Sequence, residues 1–211
     1  MTRVLLTAFE PFDGREANAS QQVADSLIAR GVPGAELRSV VLPVSFRSAP
    51  ERLAEALDDG PEVVVALGEA AGSTKLRFER VAINLIDARI PDNDGAQPID
   101  APVRVGGDGA LFSSLPVKAM CRGARAAGMP SQVSHSAGTF VCNALFYRLM
   151  HAVADRPEVR AGFVHVPLAA PSPDPRLPAL PLELMVRGLA DALGRALDGP
   201  ADLDVSAGRI H

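Results

Sequence analysis

The run Val63-Val64-Val65-Ala66-Leu67 constrains this chain more than any other stretch. It contains no polar residue, is bounded by Gly60-Pro61 and by Gly68, and is too short for an ordinary helix. A strand of that composition offers no face to water. It belongs inside a sheet covered by helices on both sides, the usual setting of parallel strands. The rest of the chain supplies the partners. Residues 4–8, 37–44, 62–67, 80–86, 132–135 and 162–166 read as short strands. Segments 18–30, 50–59, 116–127, 139–153 and 182–197 carry apolar residues at helical spacing, such as Leu53 and Leu57, or Val141, Leu145 and Leu149. Asn18 or Ser20 suits the cap of the first helix and Gly31 its end. Strands alternating with helices along the whole length predict an α/β fold in three layers. No repeat or linker divides the 211 residues, so 1–211 is expected to be a single domain.

Composition narrows the class of partner. Hydrophobic residues at 47% and charged residues at 22% exclude a disordered chain, a coiled coil and a collagen-like repeat. The net charge of −4 comes without any basic cluster, so no nucleic-acid partner and no anionic membrane surface is expected. No apolar run approaches the ~20 residues of a membrane span. After Met1-Thr2-Arg3 the chain enters Val4-Leu5-Leu6 without the pattern of a secretory signal, so a cytoplasmic location is expected. Two cysteines, Cys121 and Cys142, are too few for a disulfide framework. In a reducing compartment each is free to do chemistry.

In α/β sheets function gathers where strands end and the next helices begin. Three segments place reactive side chains there. Cys142, in Ser136-Ala137-Gly138-Thr139-Phe140-Val141-Cys142-Asn143, follows a small-residue turn and falls in the first turn of a helix. Unpaired N–H groups and the helix dipole favour negative charge at that place, which suits a thiolate; the plain alternative is a small buried hydrophobe. His165 ends the apolar strand Gly162-Phe163-Val164-His165-Val166, as a general base or as a core histidine. Glu79 enters an apolar strand, where it could orient an imidazole or simply pair with Arg77 or Arg80. Cys121, inside a helix, reads as structural, and His135, His151 and His211 are weaker candidates. No metal is expected, because no Cys-x-x-Cys or paired histidine spacing is present and Asp92-Asn93-Asp94-Gly95 reads as a turn. Gly106-Gly107-Asp108-Gly109 lacks the strand and the Lys-Ser/Thr of a phosphate cradle. The loops 91–109 and 168–181 are placed to cover a pocket.

These segments resemble the pyroglutamyl-peptidase I family of cysteine peptidases. Residues 136–143 resemble its cysteine box, Phe78-Glu79-Arg80-Val81-Ala82-Ile83-Asn84 its glutamate box, and Gly162-Phe163-Val164-His165-Val166-Pro167 its histidine segment. Thr7-Ala8-Phe9-Glu10-Pro11-Phe12, Arg89-Ile90-Pro91-Asp92-Asn93 and Leu115-Pro116-Val117-Lys118-Ala119-Met120 also agree, so the likeness covers nearly the whole chain. It implies a three-layer α/β/α sandwich around a twisted mixed sheet, of the phosphorylase/hydrolase-like kind. It further implies a cytosolic omega-peptidase, often a homotetramer, that removes N-terminal pyroglutamate from peptides without metal or organic cofactor.

The resemblance assigns roles. Cys142 would be the nucleophile, His165 the proton carrier and Glu79 its orienting partner, with backbone N–H groups near Cys142 as the oxyanion site. Arg89 would assist electrostatically. Phe9, Phe12, Ile90, Phe140 and Val141 would wall the pocket for a flat neutral lactam. Asn18 matches a polar pocket residue, and capping its own helix explains it equally well. The stretch Leu67-Gly68-Glu69-Ala70-Ala71-Gly72-Ser73 departs from the family: Glu69 stands for Gln, Ala71 for Gly and Ser73 for Arg. A carboxylate at 69 facing the site would disfavour a thiolate. The departures keep two other readings open, a non-catalytic protein that binds pyroglutamate and a hydrolase of another blocked acyl-amine bond.

Overall fold

A computed structural model describes residues 1–208. In chain order the elements are β1 (Thr2–Phe9), α1 (Ala19–Arg30), β2 (Ala35–Leu42), α2 (Ser48–Leu57), β3 (Val63–Glu69), β4 (Leu76–Glu79), β5 (Val81–Ile83) and β6 (Ala110–Phe112). There follow α3 (Val117–Ala126), β7 (Ser131–Ser134), α4 (Val141–Ala152), β8 (Arg160–Val166), β9 (Leu168–Ala169), β10 (Ala179–Leu180) and α5 (Leu182–Leu197). The central sheet runs β2-β1-β3-β8-β4-β7. Its neighbours are parallel except β8 and β4, which are antiparallel, so the sheet is mixed.

The expected apolar run is β3, at the third position of the sheet, buried on both faces as its composition requires. Alternate side chains feed two cores. Val63, Val65 and Leu67, with Leu6, Phe78 and Val164, pack against residues of α1, α3 and α5. Val64 and Ala66, with Leu5 and Phe163, pack against residues of α2 and α4. The three layers follow from this two-sided burial. Local signals hold at α1: Asn18 Oδ1 accepts from the Ser20 N–H at 3.0 Å, and Gly31 closes the helix at a φ of 73°.

The expected strand at 80–86 is found only as the short β5, Val81–Ile83, outside the central sheet. The sheet strand is β4, and Glu79 ends it rather than entering a strand. Beyond it, β5 leaves the sheet to pair with β6 as a separate antiparallel ribbon. Leu76-Arg77-Phe78-Glu79 alternates apolar and charged residues, the pattern of a half-exposed strand, yet Glu79 is fully buried. The helix expected from 139 starts at Val141, because Thr139 is held in the turn by Asp87: Thr139 Oγ1 donates to the Asp87 carbonyl at 2.9 Å. Residues 92–95 form the expected turn, in which Asp92 Oδ1 accepts from the N–H groups of Asp94 (3.0 Å) and Ala96 (2.8 Å). His211 lies outside the described residues.

Candidate active site

The antiparallel pairing of β8 with β4 sets the first contact. Arg77 lies opposite His165 and Glu79 opposite Phe163, so Glu79 and His165 are diagonal neighbours on one face. Glu79 Oε1 lies 2.9 Å from His165 Nδ1. Among the described residues Glu79 makes no ion pair with Arg77 or Arg80, and its second oxygen, Oε2, has no hydrogen-bond partner. Phe163 packs beside the imidazole with ring centroids 4.8 Å apart. A buried carboxylate aimed at one ring nitrogen fixes the ring's orientation and leaves the other nitrogen free for chemistry.

Cys142 lines the same cavity as this imidazole. The chain turns between β7 and α4 at Gly138, whose φ of 80° suits glycine. Cys142 is the second residue of α4, and the N-cap residue Phe140 makes no side-chain capping bond. The first N–H groups of α4 are therefore not claimed by a cap, and the positive end of the helix dipole lies beside the sulfur. Gly68 makes room for the thiol. It pairs with His165 across β3 and β8, and a Cβ placed on it would lie 2.8 Å from Cys142 Sγ and 2.7 Å from Phe163 Cζ. Burial works against charge on His165, but hydrogen bonds to the side chains of Cys142 and Glu79, and the charges of both, push its pKa up to about 9. Both neighbours thus favour the protonated ring.

A cavity of about 440 Å³ opens over the sulfur. Phe9, Phe12, Asn18, Glu69, Arg89, Ile90, Phe140, Val141, Cys142 and His165 all line it, which is every pocket and assisting position expected from the sequence. Glu79 stands behind His165 and touches the cavity through it. Asn18 serves in both ways at once, capping α1 and lining the cavity. Neither loop 91–109 nor loop 168–181 contributes a lining residue. That wall comes instead from Asp87, Arg89 and Ile90, just before the first loop.

Glu69 does not present a free charge to the sulfur. Its Oε2 accepts from the Ala19 N–H at 2.8 Å, at the start of α1, and Oε1 pairs with the Arg15 guanidinium. Burial pushes the Glu69 carboxyl up, while the Ala19 N–H and Arg15 act in the opposite direction.

Asn143 is a residue the sequence reasoning missed. It is fully buried; its amide accepts from the Ile83 N–H (3.0 Å) and donates to the carbonyls of Ile83 (2.9 Å) and Leu85 (3.0 Å). It thereby ties the first turn of α4 to the chain leading into the Asp87–Ile90 wall. An asparagine next to Cys142 on an otherwise apolar helix face was the available signal.

Among the described residues no group of three or more His, Cys, Asp or Glu side chains is placed to hold a metal, and no helix is long and apolar enough to cross a membrane. Cys121 is buried in α3, and His151 is exposed.

Known proteins resemble this chain in sequence and fold. The family model described as pyroglutamyl peptidase matches residues 2–198. The chain is 44% identical over 216 residues to the pyrrolidone-carboxylate peptidase of Cupriavidus taiwanensis, covering 100% of both chains. It is 45% identical over 216 residues to that of Streptomyces coelicolor, again covering 100% of both. It superposes on the crystal structure of pyroglutamyl peptidase I from Bacillus amyloliquefaciens with a TM-score of 0.93 at 35% identity, over 97% of this chain and 99% of that one. On pyrrolidone carboxyl peptidase from Thermococcus litoralis the TM-score is 0.86 at 35% identity, over 94% of each chain. Fold and sequence thus agree over nearly the whole chain, and the chain belongs to the pyroglutamyl peptidase family.

Proposed function

We propose that this chain hydrolyses the amide bond after an N-terminal pyroglutamyl residue of peptides, with Cys142 as nucleophile, His165 as proton carrier and Glu79 as its orienting partner. The observation that carries the reading is the convergence of these three side chains beneath one mainly apolar cavity.

Cys142 Sγ attacks the carbonyl carbon that joins pyroglutamate to the next residue. The negative charge that moves to the carbonyl oxygen is met by N–H groups at the uncapped start of α4. His165 gives its proton to the nitrogen as the C–N bond breaks, and the shortened peptide leaves as an amine. A thioester remains on Cys142. Water then attacks the thioester, His165 takes the proton from it, and pyroglutamate departs with the sulfur restored. Glu79 holds the ring in place through both transfers.

The lactam is flat and carries no charge. Phe9, Phe12, Ile90, Phe140 and Val141 supply an apolar slot for it, and Arg89 at the rim assists electrostatically. Glu69 is compatible with the sulfur, since its charge is met by Arg15 and the α1 N-terminus. No metal or organic cofactor enters these steps. By likeness to the family we assign the protein to the cytoplasm and to a homotetramer.

The test is release of a fluorophore from a pyroglutamyl-amide beside the same amide of proline. Turnover of the first and not the second is expected, because prolyl brings an ammonium and lacks the lactam carbonyl. Tight binding of pyroglutamate without turnover would contradict the catalytic assignment.

A further inference from the structure

Glu69 is the partition between two cavities. One is the cavity over Cys142; the other, about 500 Å³, lies between the 14–19 segment and the proline-rich loop, and Arg15, Leu168 and Pro171 help to line it. The Glu69 side chain is 3% exposed and its Arg15 partner 19% exposed, so this ion pair is sheltered from water. From it a line of contacts continues into the active site: the Arg15 guanidinium lies over the Phe12 ring, 5.7 Å from the centroid, and Phe12 lines the catalytic cavity.

The segment that carries Arg15 and Phe12 has no helix or strand of its own. It joins β1 to α1 through Asp13 and Gly14, at φ of 55° and 71°. Its start is anchored through Asn93, which donates to Glu10 Oε1 (2.8 Å) and to the Pro11 carbonyl (3.2 Å). Its end is anchored through Asn18, which donates to the Glu10 carbonyl at 3.0 Å. Between these anchors, Arg15 is the side chain that reaches back to the sheet, at the last residue of β3.

We propose that the Arg15–Glu69 pair is a positioning latch: it holds the 12–15 turn against β3, so that Phe12 stands as a formed wall before the pyroglutamyl ring arrives. The inference rests on the pyroglutamyl-peptidase reading and adds residues that act on affinity through Phe12. Without the latch the turn samples other positions, and the ligand must bear the cost of ordering Phe12 each time it binds. Cys142 sits on α4, His165 on β8 and Glu79 on β4. Glu69 meets β8 through backbone pairing with Val166, and the Arg15 and Glu69 side chains bond to each other and to the Ala19 N–H rather than to a reacting atom. KM therefore carries the effect and kcat does not.

The experiment is steady-state kinetics on a pyroglutamyl-amide, with parallel titration of pyroglutamate binding. Arg15→Met should raise KM about tenfold and leave kcat within about twofold. Arg15→Lys, which keeps a cation, should recover most of the loss. Glu69→Gln, which keeps an acceptor for the Ala19 N–H, should behave like Arg15→Met. In a Phe12→Ala background Arg15→Met should add nothing further. An unchanged KM in Arg15→Met would overturn the latch, as would a rise of the same factor with and without Phe12, or a loss confined to kcat. Wild-type turnover keeps the two claims apart: its absence refutes the function, while the ratio of pyroglutamate affinities between variant and wild type still decides the latch.

Discussion

Cys121 and Cys142 are one side chain in two surroundings. Cys121 lies midway along α3, 4% exposed; burial pushes its thiol up, and the Arg125 charge opposes this only in part. Cys142 lies at the start of α4, beside unclaimed N–H groups, in the space that Gly68 leaves and against a charged imidazole. The difference teaches that a thiol's chemistry is set by which of its forms the surroundings hold. Burial in the middle of α3 favours the neutral Cys121 thiol, whereas the start of α4 sets Cys142 on the cavity beside the imidazole.

The sharpest way to break that comparison is to exchange the two sulfurs for oxygen. Cys142→Ser should lower kcat/KM by about 10⁴-fold or more, since it removes the attacking atom. Cys121→Ser should leave kcat within about twofold. Equal losses in a pyroglutamyl-amide assay would refute the contrast.

Glu79→Gln probes the cation beside Cys142 rather than the sulfur itself. It should cost about 10²- to 10⁴-fold in kcat. The raised pKa of His165 means that the imidazolium persists well above its ordinary range and is lost as pH rises through about 9. The alkaline limb of kcat/KM should therefore fall near that value in the wild type and move to lower pH in Glu79→Gln. A limb that stays in place would separate Glu79 from the ring's charge.

Gly68→Ala adds one methyl where the sulfur now sits, at 2.8 Å from Sγ. Displacement of the thiol should reduce kcat about 10²-fold, with little change in KM. An active Gly68→Ala enzyme would show that the close approach is not needed. The smallest effect is on stability: in Cys121→Ser the buried hydroxyl should cost about 1–3 kcal/mol, read as a lower Tm.

Legibility in the sequence followed the range of the interaction. The β3 run, the Asn18 cap and the Gly31 stop are local and were readable from a few residues each. β4 was not, because Arg77 and Glu79 look solvent-facing until β8 is laid antiparallel against them. Glu79 and His165 are 86 residues apart, so their contact at 2.9 Å depends on strand order, which no local rule supplies. Their joint role was legible only through the ordered likeness of several segments to one family. Arg15 gave no signal at all. It sits between Gly14 and Glu16 in a turn, and only the folded chain brings it to the end of β3. The Glu69 departure was visible, but its consequence was not, since its two partners come from residues 15 and 19.

One measurement bears most directly on the role of Cys142: timed iodoacetamide labelling of the active protein, with each thiol's modification followed by peptide mapping as turnover of a pyroglutamyl-amide decays. Activity should fall in step with modification of Cys142, while Cys121 stays unlabelled, and pyroglutamate should slow both the labelling and the loss. Full activity after complete modification of Cys142, or a decay that follows Cys121 instead, would contradict the account.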